Sequence, residues 1–345
     1  MKRMFIFSAA VLAVLLIMSG AAGCRRNTHK RDEGKITVTS LIFPSYDFAR
    51  AIAGDRVNLI MLLPPGADSH SFEISPRDII TIRESDIFIY PGGETFRWVD
   101  RILDSAEISK RKTKVIKLLD LVDALEDTLV EGMERHEHHH HEHDHDCDHD
   151  HDYECDHDYD CDHDHSHDVP ILDEHIWTPP GNARIIAAAI TEALCDLDGA
   201  NAEFYRENAA DYFRQLDELD AVFRSIVDGA KRKTIVFGDR FPFRYFADAY
   251  GLEYFAAFPS CAAEAEPSAA TVGFLINKVK SENIPVVFHM ELSNEKVADI
   301  ISEATGAKKR LLHSAHNVTK REFDSGANYI DLQKANAVNL QEALW

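Results

Sequence analysis

The chain has 345 residues, 45% of them hydrophobic, and its 59 acidic and 37 basic residues give a formal net charge of −22. This length is enough for two ordinary domains, each with a hydrophobic core. Residues 136–168 alone carry 14 Asp and Glu and no Lys or Arg. Because that charge repels phosphate and no basic stripe with aromatic residues occurs, binding of nucleic acid is excluded.

The first 24 residues have the order of an export signal. Lys2 and Arg3 precede an apolar run over residues 5–18, and small residues lead to Cys24. The apolar run is shorter than the roughly 20 residues of a membrane span. Small residues directly before a cysteine resemble a bacterial lipobox, which implies that Cys24 is lipidated. We expect an extracytoplasmic protein, lipid-anchored to the cell membrane, with residues 25–35 as a flexible tether.

From Ile36 onward, short β-branched or apolar runs alternate with amphipathic stretches, a pattern typical of βα units on a parallel sheet. The first half is predicted to contain strands over residues 36–42, 57–63, 87–90 and 114–117. Helices are predicted over residues 45–53, 76–84 and 95–105. The first half thus holds about four βα units.

Two helices are predicted in the middle of the chain. One begins near Pro180 and continues to about Cys195, and the other extends from Ala202 to about Val227. The second has apolar residues at helical spacing and spans roughly 35–40 Å at 1.5 Å per residue. This length suits a rigid connection between two lobes.

A second alternating series follows, with strands near residues 234–237, 253–257, 286–289 and 310–313, and helices near 243–250, 268–281, 294–304 and 329–343. We therefore predict an α/β fold with two (β/α)4-type lobes, each with a parallel sheet, joined by a long rigid helix. The predicted domains are an N-terminal lobe over 36–201, a linker helix over 202–229 and a C-terminal lobe over 230–345. Ligand groups are expected in the cleft between the lobes, on loops at the carboxyl ends of the strands.

The segment 136–168 is predicted to be a disordered metal-collecting loop within the first lobe. It contains 13 of the 19 histidines, interleaved with Asp and three Cys, and has no periodicity that could form a core. Imidazole, carboxylate and thiolate suit zinc, and many partial sites would bind several ions loosely. The accessory ligands are His136, His138, His139, His140, His141, His143, His145, His149, His151, His157, His163, His165 and His167.

Two cysteines outside this segment and the lipobox, Cys195 and Cys261, stand alone. They could pair in an exported protein, and two buried free thiols are an equally good interpretation.

Several of the remaining histidines fall at loop or strand-end positions. His70 follows the second predicted strand, His175 follows the His-rich segment, and His313 ends the last predicted strand with His316 three residues later. Any single one of them could be an ordinary structural histidine. Their common placement in a chain with a metal-collecting segment favours a metal site.

Three segments resemble the zinc and manganese solute-binding lipoproteins of bacterial metal ABC importers (cluster A-I type, zinc-uptake branch). They are Gly66-Ala67-Asp68-Ser69-His70-Ser71-Phe72-Glu73 with Ser75-Pro76-Arg77-Asp78, Asp173-Glu174-His175-Ile176-Trp177 with Pro180, Asn182 and Ala183, and Glu264-Ala265-Glu266-Pro267-Ser268. The resemblance extends from Ile36 to the C-terminus. It implies two α/β lobes, a metal held in the cleft between them and, in many zinc-type members, a His-rich acidic loop. On this resemblance His70 and His175 match the two histidine ligands of the first lobe.

The second lobe departs from the family pattern. Members commonly have a His or Glu just after its first strand, in a segment similar to His-Asp-Ala-Phe-Gly-Tyr-Phe, and residues 237–246 of this chain contain no His. Where the family usually has an Asp ligand near the last strand, this chain has His313. We expect His313 to supply the third imidazole, with Asp239, His316 or a water completing the shell.

The ligand types favour zinc over manganese. Three imidazoles with at most one carboxylate suit tetrahedral Zn²⁺, whereas Mn²⁺ prefers more oxygen ligands and is kept as the alternative. Asp239 has an equally good second interpretation, in which it pairs with Arg240 or Arg244 and orients the loop.

The resemblance implies a monomeric binding protein, not an enzyme, that captures Zn²⁺ and delivers it to a membrane permease driven by an ATPase. The alternatives are a manganese-specific binding protein, a metal-buffering surface lipoprotein or adhesin, and a zinc hydrolase. Three histidines with an open fourth position would also activate water. No His-Glu-x-x-His helix occurs in the sequence, which disfavours the hydrolase.

Overall fold

The computed structural model describes residues 32–69, 71–104, 113–133, 171–260 and 267–345. The predictions for the export signal, Cys24, most of the tether, His70, the His-rich segment 136–168 and Cys261 lie outside the described residues. Within the described ranges, no helix is both long enough and apolar enough to cross a bilayer.

The first half of the chain forms a four-stranded sheet in which every pair of neighbours is parallel. Its strands are β1 (Thr37–Ser40), β2 (Asn58–Met61), β3 (Ile87–Tyr90) and β4 (Lys114–Lys117), in the spatial order β2-β1-β3-β4. Val38 of β1 lies between Leu59 and Ile87. The two central strands β1 and β3 are buried along their whole length, because helices cover both faces of such a sheet.

Four helices accompany this sheet: α1 (Phe43–Ala53), α2 (Pro76–Arg83), α3 (Arg97–Asp104) and α4 (Pro180–Leu197), with a 3-10 turn at Leu118–Leu121. The start of α2 is encoded locally. Ser75 and Asp78 form a capping box, and Pro76 occupies the first helical position, where its missing N–H costs nothing.

One long helix, α5 (Ala202–Asp228), has 27 residues and is about 40 Å long at 1.5 Å per residue. Its buried side chains recur every three or four residues, as at Tyr205, Ala209, Tyr212 and Leu216. This stripe packs against α1 and α4 of the first half and against the C-terminal helix of the second. The helix therefore connects the two halves and belongs to the core of both.

The second half repeats the arrangement. Its strands are β5 (Thr234–Arg240), β6 (Glu253–Phe258), β7 (Val286–His289) and β8 (Lys308–Leu311), all parallel, in the order β6-β5-β7-β8. Its helices are α6 (Arg244–Tyr250), α7 (Ala269–Ser281), α8 (Lys296–Thr305), α9 (Lys320–Asp324) and α10 (Tyr329–Leu344). The predicted α/β fold, with two parallel sheets joined by a long helix, is confirmed.

Two local predictions needed correction. The last strand ends at Leu311, which pairs with His289, so His313 lies in the following loop and not in the strand. Helix α9 was not predicted. Its signal was present, since Thr319 and Glu322 form a capping box that starts this short helix.

Cys195 is a free, half-buried thiol whose Sγ lies 3.5 Å from the carbonyl oxygen of Ala202. The structure thus supports the free-thiol interpretation at this position.

Candidate metal centre

Loops at the carboxyl ends of the two sheets meet between the halves of the molecule. In each sheet the strand order reverses at a central strand, β1 in the first and β5 in the second, and ligands of open parallel sheets bind outside such points. Asn317, which follows β8, donates hydrogen bonds from Nδ2 to the carbonyl oxygens of Pro64 and Ala67, both at 2.8 Å. The backbone N–H of Gly66 donates to Val318 O at 2.7 Å. The loop after β2 and the loop after β8 are therefore held together by hydrogen bonds.

Trp177 joins the same two halves from the segment before α4. Its indole Nε1 donates to Ser314 O at 2.8 Å, and its own carbonyl accepts from the Tyr329 hydroxyl at 2.7 Å. All three residues are buried. Through these hydrogen bonds Trp177 links the two halves at the base of the cleft.

His175 is fixed by the aspartate two residues before it. Asp173 Oδ1 accepts the His175 backbone N–H at 2.7 Å and lies 3.3 Å from ring Nδ1. With the ring proton on Nδ1 facing this carboxylate, Nε2 keeps its lone pair, the arrangement in which histidines bind metals. Burial acts to lower the pKa of His175, but the negative charges of Asp173, Glu174 and Asp127 outweigh burial, so its pKa is raised.

His316 lies next to His175 although it comes from the other half of the chain. The two rings meet edge to face with centroids 5.2 Å apart, and the Trp177 ring lies 5.1 Å from His316 and 5.5 Å from His175. Both histidines are almost completely buried, at 1% and 5% exposure. Two buried imidazoles from opposite lobes, with an indole against both, form the centre of the site.

Glu291 holds the turn that carries His316. Its carboxylate accepts the backbone N–H groups of Ser314, at 2.7 Å, and His316, at 3.2 Å, and also the Ser314 hydroxyl. Inside this turn Ala315 has φ 61°, a left-handed conformation that costs a non-glycine residue about 1–2 kcal/mol. The buried carboxylate offsets that strain by satisfying the turn's donors.

His313 has different surroundings. Its backbone is held by the Asn336 side chain, which accepts from the His313 N–H at 2.7 Å and donates to its carbonyl at 2.8 Å. Ring Nδ1 accepts from the Ala315 N–H at 2.9 Å, so the neutral ring carries its proton on Nε2. The same Nδ1 lies 3.5 Å from the Glu291 carboxylate, so its two neighbours are the turn that carries His316 and the carboxylate that holds this turn. This geometry favours a role for His313 in shaping the turn.

Asp239 and Arg240 end strand β5 beside the cleft. Asp239 accepts the backbone N–H of Arg240 at 2.8 Å and that of Met290 at 3.2 Å, so it joins the ends of β5 and β7. Arg240 points toward the first lobe, with Nη2 3.6 Å from Asp68. A cavity of about 30 Å³ is lined by Arg240, Asp68, Glu291, His316 and their neighbours.

Glu174 packs behind His175 in a very confined space. Its Oε1 accepts the Thr95 N–H at 2.7 Å, and a Cβ added at Gly93 would lie 2.4 Å from its side chain. Gly93 also has φ +90°, a conformation that favours glycine. Burial raises the pKa of Glu174 to about 7, against the effect of the Thr95 hydrogen bond.

Of the residues singled out in the sequence, the structure brings together His175 and His316. His313 and Asp239 lie close by in sequence or space but bond to the backbone, and His70 lies outside the described residues. Within the ranges that the structure describes, no three His, Cys, Asp or Glu side chains gather closely enough to hold a metal ion.

Three residues of the site were missed in the sequence: Asp173, Trp177 and Glu291. The first two were visible within the segment Asp173-Glu174-His175-Ile176-Trp177, where an acid two positions before a histidine is a signal for an orienting carboxylate. Glu291 had no such signal, because its partners lie more than twenty residues away along the chain.

Comparisons with known proteins agree with this architecture. Residues 38–343 match the family model described as ZnuA: Zinc-uptake complex component A periplasmic. The high-affinity zinc uptake system protein ZnuA of Bacillus subtilis (strain 168) is 30% identical over 341 residues, which cover 97% of this chain and 96% of that protein. The zinc-binding lipoprotein AdcA of Streptococcus pneumoniae (strain ATCC BAA-255 / R6) is 28% identical over 342 residues, which cover 99% of this chain and 61% of AdcA.

Among solved structures, the Zn(II)-bound ZnuA-like domain of Streptococcus pneumoniae AdcA is similar with a TM-score of 0.68 and 26% sequence identity, covering 90% of this chain and 99% of that chain. The family match spans nearly the whole of the compact unit over residues 36–345. The resemblance drawn from the sequence motifs is thereby confirmed: the chain belongs to the ZnuA family of zinc-uptake binding components.

Proposed function

We propose that this protein is the extracytoplasmic zinc-binding component of a metal ABC importer. The observation that carries the proposal is the buried pair of imidazoles, His175 and His316, contributed by opposite lobes and meeting at the carboxyl ends of the two sheets. Imidazole nitrogens with few oxygen donors suit Zn²⁺.

The ligand set that we propose is His70, His175 and His316. His70 enters from the sequence, since it follows β2 in the same loop as Ala67, which accepts a hydrogen bond from Asn317. His316 is preferred to His313 as the third imidazole, because Nδ1 of His313 is occupied as an acceptor. Asp239 is assigned to loop orientation, since both of its oxygens accept backbone N–H groups.

The His-rich segment 136–168 is proposed to collect zinc for the cleft. In the sequence it ends at residue 168, seven positions before His175. A segment that binds several zinc ions weakly would raise the zinc concentration near the specific site. It would do so without holding any ion in one coordination geometry.

Delivery is proposed to take place at a membrane permease with its ATPase, with the protein acting as a monomer held to the membrane through Cys24. The family to which the chain belongs consists of transport components, and we assign no catalytic role. Zinc is the transported ion in this proposal, so the protein must release it at the permease as well as bind it.

Metal analysis of a variant that lacks residues 136–168 tests the specific site. One zinc retained per chain after dialysis supports a cleft site, and none would confine metal binding to the His-rich segment. Manganese offered in the same dialysis separates the two metals, and a chain that retains manganese in preference to zinc would overturn the assignment.

Growth under zinc limitation tests transport. A deletion strain without a second zinc importer should grow poorly and recover with added zinc or with the wild-type gene. Normal growth and zinc uptake would leave a metal-buffering surface lipoprotein or adhesin as the better description.

A further inference from the structure

A largely buried arginine side chain faces the cleft without a full set of partners. Arg240 is only 14% exposed, and its contact with Asp68 across the cleft is 3.6 Å, too long for a hydrogen bond. Among the residues that the structure describes, Nη1 of Arg240 is buried and has no hydrogen-bond partner. A buried charged donor left unsatisfied is costly, so its retention points to an acceptor group at this place in the cleft.

The position of Arg240 makes that group an anion. Arg240 and His316 line the same cavity of about 30 Å³. Of the three carboxylates nearby, Glu291 accepts from the turn that carries His316, and Asp239 accepts from Arg240 N and Met290 N. Asp68 lies 3.6 Å from Nη2 and leaves Nη1 without an acceptor. Zinc at this site would place two further positive charges near the guanidinium, and neutral imidazoles would offset none of them.

The same position leaves the coordination of zinc incomplete on the side of the second lobe. The proposed ligands His70, His175 and His316 fill three of the four positions of tetrahedral zinc, and among them only His316 comes from the second lobe. An anion between the guanidinium and the metal would supply an oxygen ligand to zinc and an acceptor to Nη1 at the same time.

We infer that the cleft binds zinc together with a small carboxylate-like oxyanion, of the size of bicarbonate or formate, which is anchored by Arg240. The planar guanidinium fork matches two coplanar oxygens, and the small cavity of about 30 Å³ favours an anion of few atoms. Bicarbonate is the commonest such anion in media exposed to air. This inference rests on the proposed zinc site and adds a second component to its cargo.

Linkage between the two ligands is the measurable consequence. If zinc and the anion bind side by side, each raises the affinity for the other by the same factor. The test is a zinc titration of the full-length protein in a buffer free of carbon dioxide, with perchlorate as the salt and a carboxylate-free pyridine chelator controlling free zinc. The same titration is repeated with bicarbonate, with formate and with added chloride, and Trp177 emission is followed because its ring contacts both histidines.

The expected result is an increase in zinc affinity of roughly tenfold or more with bicarbonate or formate and none with chloride. An increase with bicarbonate alone would identify bicarbonate as the partner, and an equal increase with formate would identify the carboxylate group as sufficient. Labelled ¹³C-bicarbonate should be retained by the zinc-loaded protein and not by the zinc-free protein. Zinc affinity that is the same in all buffers, with no label retained, would overturn the inference.

Variants locate the effect at Arg240. Arg240→Gln should lose the anion dependence, and Arg240→Lys should keep only part of it, because an ammonium group lacks the fork. Arg310→Gln is the matched control: this arginine of the same lobe pairs with Glu342 on α10, so the variant should keep the full anion effect. An anion effect that survives intact in a folded Arg240→Gln protein would also refute the assignment.

The outcomes separate this inference from the proposed function. A wild-type protein that binds one zinc tightly with no anion effect retains its proposed function and loses the anion. A wild-type protein that binds no zinc in the cleft under any condition loses both. Because the wild-type titration needs no substitution, poor folding of a variant does not weaken the test.

Discussion

The imidazole of His316 lies edge to face against the imidazole of His175, with ring centroids 5.2 Å apart. One ring follows the last strand of the second sheet and the other precedes helix α4 of the first half. Their contact is maintained on both sides, by Asp173 behind His175 and by Glu291 beneath the turn of His316. The protein's own hydrogen bonds therefore hold the two rings in place.

Replacement of His316 distinguishes it from His313. His316→Ala should weaken zinc binding by more than the roughly 10- to 100-fold that loss of an orienting residue costs, because a ligand itself is removed. His313→Ala should stay within that range. Competition with a chelator measures both affinities. The opposite order would return the ligand role to His313.

The fluorescence of Trp177 should report zinc binding at the cleft. Its indole contacts both His175 and His316, whereas Trp98 and Trp345 lie outside this contact. Trp177→Phe should abolish the emission change on zinc addition, and Trp98→Phe should leave it. The change should reverse when a chelator removes the metal. A zinc response that persists without Trp177 would place the metal elsewhere.

Glu291→Gln should loosen the turn that carries His316. The substitution keeps the shape but places an amide where a carboxylate accepts from Ser314 and His316, so at least one donor loses its partner. We expect a loss of about 1–3 kcal/mol in the free energy of unfolding and a roughly 10- to 100-fold loss of zinc affinity. Denaturant unfolding and chelator competition measure the two effects. Glu342→Gln, on the surface of the same lobe, is the control, and equal zinc binding by both variants would contradict the assigned role.

Gly238→Ala tests the packing behind the cleft. A Cβ at this position would lie 2.5 Å from backbone atoms of Ala298 in α8, which cannot move as a side chain could. The free energy of unfolding should fall by about 1–3 kcal/mol, the usual effect of overpacking. Gly273→Ala is the matched control, because space is open around that helical glycine and the change should stabilise by up to about 1 kcal/mol. Denaturant midpoints measure both, and an equal midpoint shift in the two variants would refute the packing argument.

The fold was accessible from the sequence because its strands are short apolar runs separated by well-marked helices. Buried parallel strands such as β3, with four consecutive buried residues, have an unmistakable composition. Strand β8 was misplaced by two residues, since Leu311 and Leu312 are the apolar residues of this segment, whereas the strand is mostly basic and its pairing with β7 stops where Leu311 meets His289. Register is set by the partner strand, which a local pattern does not contain.

The site was only partly accessible. The loop position and motif of His175 single it out in the sequence, which favours His313 over His316 as a further ligand. That it is His316 whose ring lies against His175 depends on the left-handed turn at Ala315, which cannot be inferred from a sequence of ordinary residues. Glu291 resembles any acid after a strand until its contacts with Ser314 and His316 are seen. Long-range hydrogen bonds of this kind decide which of two nearby histidines faces a cleft.

The order in which the two lobes occur along the chain bears on biosynthesis. The strands of the first sheet lie within residues 37–117 and those of the second within 234–311, so each sheet is made from its own stretch of polypeptide. His316 comes after the last strand and joins His175 only when almost the entire chain has been made. Chains emerge and fold from the N-terminal end first, so the first lobe with His175 is made before His316 is available. If the pair binds zinc as proposed, truncated or unfinished chains lack the site and do not bind zinc with the affinity of the finished protein.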